Sequence, residues 1–212
     1  MKKGKEKNLS RAYVDALMEL GNIGSGNAVT ALSDLLNKKI EMSLTSVEIV
    51  PFWKLAEKLG NGKMKVFGIN SIVKGESNLS FLQIFSKESI ISLINLLSEN
   101  RISDVKVLKN LDEYSLSIIL EIGNILAGHF SSALADLFST KFIPEVPDVA
   151  LDTLSAILDG LIAKYSENTD LLILIITKMT IEDLNIEGIF CFIPAIETIN
   201  RLFEAIGIKL KS

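Results

Sequence analysis

The sequence predicts a mixed α/β (α+β) fold made of two equivalent halves that share one β-sheet, with two long helices exposing polar stripes. Three observations lead there. At an offset of 102 residues, that between Glu19 and Glu121, the chain repeats itself: Glu19/Glu121, Gly21/Gly123, Asn22/Asn124, Ile23/Ile125, Gly26/Gly128, Ala31/Ala133, Leu32/Leu134, Asp34/Asp136 and Leu35/Leu137 are identical pairs. Each half closes on a strand followed by an amphipathic helix, at residues 80–97 and 188–206. The apolar share, 48% of 212 residues, suffices for a large core. Two such halves would each bury an apolar sheet face, which a continuous sheet with pseudo-twofold symmetry achieves.

Taken in order, Ser10 and Asp112 occupy equivalent positions ahead of the two long helices, and both residue types are good N-caps. Leu17, Leu20, Ala28 and Leu35 form the core side of the first helix. Strands are expected near residues 40–50, 64–73 and 78–85. In the second half, residues 147–165 (PDVALDTLSAILDGLIAKY) read as a helix, with strands near 171–179 and 185–193. The polar segment 98–110 links repeats at about 8–103 and 108–212 within one domain spanning 1–212.

A formal charge of −4 argues against nucleic-acid binding, which favours a basic face. The opening lysines are followed by NLSRAY, not by an apolar run, so a solvated tail is expected there in place of a signal peptide. The longest uninterrupted apolar run, residues 171–176, is too short to span a bilayer. A cytoplasmic protein without membrane insertion is the expectation. Cys191 and His129 are the only residues of their kinds, which excludes an internal disulfide and the usual Cys/His zinc sites. Cys191, inside GIFCFI, reads as a small buried strand residue.

Successive helical residues advance by about 100°, so Asp15, Glu19, Asn22 and Gly26 share one narrow stripe, as do Ser117, Glu121, Asn124 and Gly128. Gly26 and Gly128 sit one turn beyond the asparagine, where a missing side chain lets another backbone come close. Gly21 and Gly24 point elsewhere and read as close-packing positions. Ordinary surface residues would explain one such stripe, but not its repetition in residue type, spacing and glycine. A dinucleotide loop fits poorly: GNIGSG has the wrong glycine order, follows a helix, and loses its middle glycine in the second copy, GNILAG. Asparagine has no useful pKa, but it can hold a water in line for attack. Glutamate can pair with a partner's lysine. With no carboxylate cluster for magnesium, the electrophile and metal must arrive on the substrate, which points to a protein substrate.

These residues resemble the CheC/CheX/FliY family of chemotaxis phosphatases, in particular its CheC branch. The family pattern is Asp or Ser, three residues, Glu, two residues, Asn, 22 residues, then Pro; the second half matches as Ser117, Glu121, Asn124 and Pro147. The first half matches as Asp15, Glu19 and Asn22, with Thr45 at the proline position. The resemblance implies dephosphorylation of phosphorylated CheY, which would bring its phosphoaspartate and bound Mg2+; no intrinsic cofactor or metal is implied. Glu19 or Glu121 would dock a CheY lysine, and Asn22 or Asn124 would orient the water. It also implies CheD as a partner, held by a short helix after Pro147, with Asp152 the residue to test. A non-catalytic binding module of the flagellar-switch or CheD-regulating type is the alternative.

Overall fold

The computed structural model describes residues 11–75, 79–98, 112–165, 171–181 and 184–194, together with Arg201 and Glu204. In chain order these form α1 (Arg11–Leu36), β1 (Ile40–Pro51), a 3-10 turn (Phe52–Lys54) running into α2 (Leu55–Leu59), β2 (Lys65–Lys74), β3 (Leu79–Phe85) and α3 (Lys87–Leu97). The second half follows with α4 (Glu113–Phe138), β4 (Ile143–Pro144), β5 (Asp148–Thr153), α5 (Leu154–Tyr165), β6 (Leu171–Ile181) and β7 (Leu184–Pro194). Ser10, the linker 99–110 and most of the expected last helix lie outside the described residues.

The 102-residue offset is written into the backbone. Both long helices run 26 residues. Both are followed by a non-glycine residue in the left-handed region, Asn37 with φ 49 and Ser139 with φ 50. Asparagine and serine tolerate that conformation less readily than glycine, but a single such residue ends a helix sharply. At the other end, Asp112 caps α4 as expected, its Oδ1 accepting from the Ser115 N–H at 2.7 Å. That hydrogen bond holds the Asp112 carboxyl below its ordinary range. A depressed carboxylate stabilises the fold above its unfolded pKa, and the effect is lost as pH falls through the folded value. Asp112→Ala should therefore melt below the wild type at pH 7, with the gap narrowing as pH drops below the usual aspartate range. Thermal scans across pH check this; a gap that widens in acid would contradict it.

The sheet is antiparallel throughout, in the order β1-β6-β7-β3-β2, with β4 and β5 sharing the outer edge of β2. The halves are interleaved. Among the described residues, β1 of the first half pairs with β6 of the second alone, and β5 of the second with β2 of the first alone. The central β3–β7 contact joins the two hairpins, with Phe81 opposite Phe192. One irregularity also repeats. Leu44 and Ser46 pair with the consecutive residues Thr177 and Ile176, leaving Thr45 as the extra residue of a bulge. Its equivalent, Pro147, falls in the gap between β4 and β5, where the pairing on β2 also slips by one residue. Proline lacks the N–H a ladder needs, so the break is complete in the second half and only local in the first.

Two cores flank the sheet. α1, α3 and α4 cover one face, with Leu17, Leu32, Leu93, Ile122 and Phe130 packed over Phe67, Ile69, Phe81, Ile175 and Phe190. On the other face Leu55, Leu154 and Leu158 close over Val66, Leu82, Leu174 and Cys191. Phe81 centres the first core, its ring 5.7 Å from Phe130, 5.1 Å from Phe190 and 5.4 Å from Phe192. Burial of each such ring contributes about 2–3 kcal/mol. Cys191 is buried in β7 as expected, and burial pushes its thiol pKa up.

Two expectations need correction, those on residues 148–153 and on Leu35. Residues 148–153 form a strand, not the first turns of a helix; Val149 and Leu151 turn toward the core while Asp148, Ala150 and Asp152 stay exposed, a period of two. The helix starts only at Leu154, where Leu154, Leu158 and Leu161 take up helical spacing. Leu35 is exposed, whereas Leu17 and Ala28 are fully buried; the side chain of Leu20 lies outside the described residues. Finally, residues 113–136 of α4 are long and apolar enough to cross a membrane by length and composition, although no single apolar run is. Here that apolar face is spent on the core, through Ile118, Ile119, Ile122, Leu126 and Phe130.

Candidate active site

The two polar stripes lie on the outer faces of α1 and α4, which pack against each other above the sheet. Asp15, Glu19, Asn22 and Gly26 are all exposed on α1. On α4, Ser117 and Glu121 are exposed while Asn124 and Gly128 are half-buried. The structure thus keeps each set together on its own helix. The neighbours explain the difference in depth. Met18 and Ile23 flank the first stripe at 41% and 48% exposure, but their equivalents Leu120 and Ile125 are half-buried. The Ser117 hydroxyl donates to the Tyr114 carbonyl of its own helix at 2.7 Å.

The glycines divide by role. A Cβ at Gly26 or Gly128 would meet nothing within 4 Å, so both positions open onto free space beside the asparagine. Gly21 and Gly123 instead seat their helices on the sheet. A Cβ at Gly21 would lie 3.0 Å from Leu44 Cδ1 and 3.3 Å from Ile175 Cγ2; at Gly123 it would lie 2.7 Å from Ile69 Cγ2 and 3.3 Å from Pro147 Cγ. Ile175 belongs to the second half and Ile69 to the first, so each motif helix rests on a strand of the other half. The motif proline acquires a concrete position: Pro147 is buried beneath the turn that carries Asn124, whereas Thr45 is exposed and Leu44 fills the corresponding space.

Gly24 serves the contact between the helices, since a Cβ there would sit 2.5 Å from the Phe130 ring. Its equivalent on α4 is Leu126, and the equivalent of Phe130 is Ala28; both are buried. A small-large pair on one side of the crossing is matched by a large-small pair on the other.

Asp152 falls apart from both stripes. It is exposed on the edge strand β5, opposite Val66, and its Oδ1 accepts from the Thr153 N–H at 2.6 Å. Because Val149 and Leu151 face the core under α4, strand alternation turns Asp152 to the opposite face of the sheet, beside α5. Among the described residues, no three His, Cys, Asp or Glu side chains converge as metal ligands would. The first stripe carries two carboxylates, Asp15 and Glu19, and the second carries one, Glu121.

One residue of this region goes unnoticed in the sequence. Gln83 is buried in β3 and donates from Nε2 to the Gly123 carbonyl at 3.1 Å. The available signal is a lone carboxamide within the otherwise apolar SFLQIF.

The chain is 30% identical over 204 residues to the CheY-P phosphatase CheC of Bacillus subtilis (strain 168), covering 95% of this chain and 97% of that protein. It is 28% identical over 145 residues to the flagellar motor switch phosphatase FliY of the same organism, which covers 68% of this chain and 37% of FliY. The crystal structure of FliY from Thermotoga maritima superposes with a TM-score of 0.71 at 19% identity, covering 94% of this chain and 98% of that one, and so shares the fold. A profile of the CheC-like family matches residues 14–43 and 115–151, the two segments that hold the helical motifs. With 30% identity to CheC over 95% of the chain and a family profile matching both motif segments, the chain belongs to the CheC-like family.

Proposed function

We propose that this chain hydrolyses the aspartyl phosphate of a CheY-type response regulator, at two sites. The observation that carries this reading is a Glu and an Asn one turn apart, exposed on the first helix and with a half-buried Asn on the second, each followed by an open glycine and presented twice on symmetric helices. The asparagine amide is not a nucleophile, and among the described residues no three metal-ligating side chains cluster at either stripe. Such a surface acts by completing a site that its partner brings. Glu19 or Glu121 pairs with a lysine beside the partner's phosphoaspartate, fixing the docking register. Asn22 or Asn124 then hydrogen-bonds a water and holds it in line with the phosphorus. The water oxygen bonds to phosphorus as the bond to the aspartyl oxygen breaks, releasing inorganic phosphate and the free carboxylate. A Mg2+ carried by the partner would offset the charge on the phosphoryl oxygens.

The names of the two similar Bacillus proteins, one a CheY-P phosphatase, support the substrate class. A cytoplasmic setting goes with that substrate. Asp152, on the opposite face from both stripes, is the residue we assign to a CheD-type partner, which would bind without contesting the stripes. The deciding experiment is phosphate release from acetyl-phosphate-charged CheY, with and without this protein. Faster release supports the reading; equal decay leaves only a binding role.

Gly128→Leu tests the open position. In an Asn22→Ala background, where only the second site remains, leucine should cut phosphate release by about tenfold or more by blocking the approach to Asn124. Helicity by circular dichroism should be unchanged, since glycine is the poorer helix former. Full activity in that background would refute the close-approach argument.

A further inference from the structure

We infer that Gln83 is a positioning residue for the second site alone, holding the peptide unit that carries Asn124. This rests on the phosphatase reading above.

The Gly123 carbonyl and the Asn124 N–H belong to one peptide unit, so a bond to that oxygen restrains the backbone from which the Asn124 side chain departs. Gln83 reaches it from β3 at 3.1 Å, while Ile69, directly opposite Gln83 on β2, packs under the Gly123 Cα. A third support, Pro147, closes the same turn from the outer edge. The carbonyl of a mid-helix residue already serves the helix ladder, so this added donor is not there to satisfy an orphan group.

The cost of placing a carboxamide here underlines the point. Gln83 is 1% exposed, on the same strand face as Phe81 and Phe85. A buried amide in such surroundings is unfavourable unless it is hydrogen-bonded. An apolar residue would pack the site more cheaply, and the other half has one. Ile175 seats Gly21 as Ile69 seats Gly123. Continuing the register of Thr177 with Phe190 by two residues sets Phe192 beside Ile175, where Gln83 stands beside Ile69. Among the described residues the first site therefore lacks both the proline and the carboxamide, and a Cβ at Gly21 meets the apolar Leu44 and Ile175.

The test uses Gln83→Met, which keeps length and volume and removes the donor, with Gln83→Leu as a second variant. In the Asn22→Ala background, kcat for phosphate release should fall about tenfold while KM stays within about twofold, the pattern of misplacement after docking. In the Asn124→Ala background, where the first site works alone, the same change should cost less than about twofold. A loss that is equal in both backgrounds, or none in the Asn22→Ala background, overturns the proposal. The amide resonances give an independent readout: in Gln83→Met the Asn124 backbone 15N signal should move and that of Asn22 should not. If the parent protein releases no phosphate, the phosphatase reading fails, and the resonances still decide whether Gln83 holds Asn124; two unmoved signals, or two moved alike, reject it.

Discussion

Asn22→Ala combined with Asn124→Ala is expected to abolish accelerated phosphate release, whereas either change alone leaves one working site. In the proposed mechanism each asparagine holds a water against phosphorus, and losing one such preorganised contact costs on the order of a hundredfold in rate at that site. The two stripes face outward on separate helices, so under the proposed function each would serve its own partner molecule. The single variants should nevertheless differ. Asn124 is half-buried, with Pro147 and Gln83 beneath its turn, while Asn22 is exposed between the exposed Met18 and Ile23. A better-restrained asparagine loses less orientation when the partner docks, so Asn124→Ala should remove the larger share of turnover. Steady-state release by the two single variants and the double variant decides. A more damaging Asn22→Ala, or an active double variant, would refute this arrangement.

Gly24→Leu should be among the most destabilising single changes in α1. The Phe130 ring occupies the space a Cβ would need, 2.5 Å away, and that ring is itself stacked on Phe190 at 4.2 Å. With rings on both sides there is nowhere for Phe130 to move, and the helix crossing must open. Overpacking of this kind costs about 3 kcal/mol, which for a chain of this size lowers Tm by about 6–12 °C. Gly26→Ala, two residues along, should act in the opposite direction. Its Cβ meets nothing within 4 Å, and replacing a mid-helix glycine by alanine gains about 0.5–1 kcal/mol. Differential scanning calorimetry on the two variants should give shifts of opposite sign; shifts of the same sign would mean the helices do not cross as described.

What the sequence could and could not reveal follows from the range of the interactions involved. The long helices, the hairpins and the burial of Cys191 rest on local periodicity, and periodicity survives in the chain as letters. The twofold relation was legible because identities at one offset accumulate. The interleaving was not, since nothing in β1 states that its partner is β6 and not β2; pairing depends on contacts 120 to 141 residues apart, from Pro51 with Leu171 to Ile40 with Ile181. The strand at residues 148–153 was missed because DVALDT is only three alternations long and runs straight into a helical pattern. Leu35 was misplaced because its apolar character is spent on the surface. Gln83 was overlooked because its partner is a backbone carbonyl 40 residues away, which no side-chain pattern encodes.

A duplicated chain ordinarily gains redundancy: one copy can decay while the other carries the work. The exchange of edge strands removes that freedom here. Without the second half, β1 has no neighbour to bond to, and the first half retains only the β2–β3 hairpin, which is marginal in water by itself. Helix α1 would lose the strand that supports Gly21, and without the first half α4 would lose the one that supports Gly123. A lesion in either repeat thus reaches the partner's scaffold, and the pair must be maintained as one unit. Divergence is left to the outward-facing positions, where a motif residue can change without loosening the sheet: Thr45 in place of a proline is already one such departure, absorbed as a bulge in the strand.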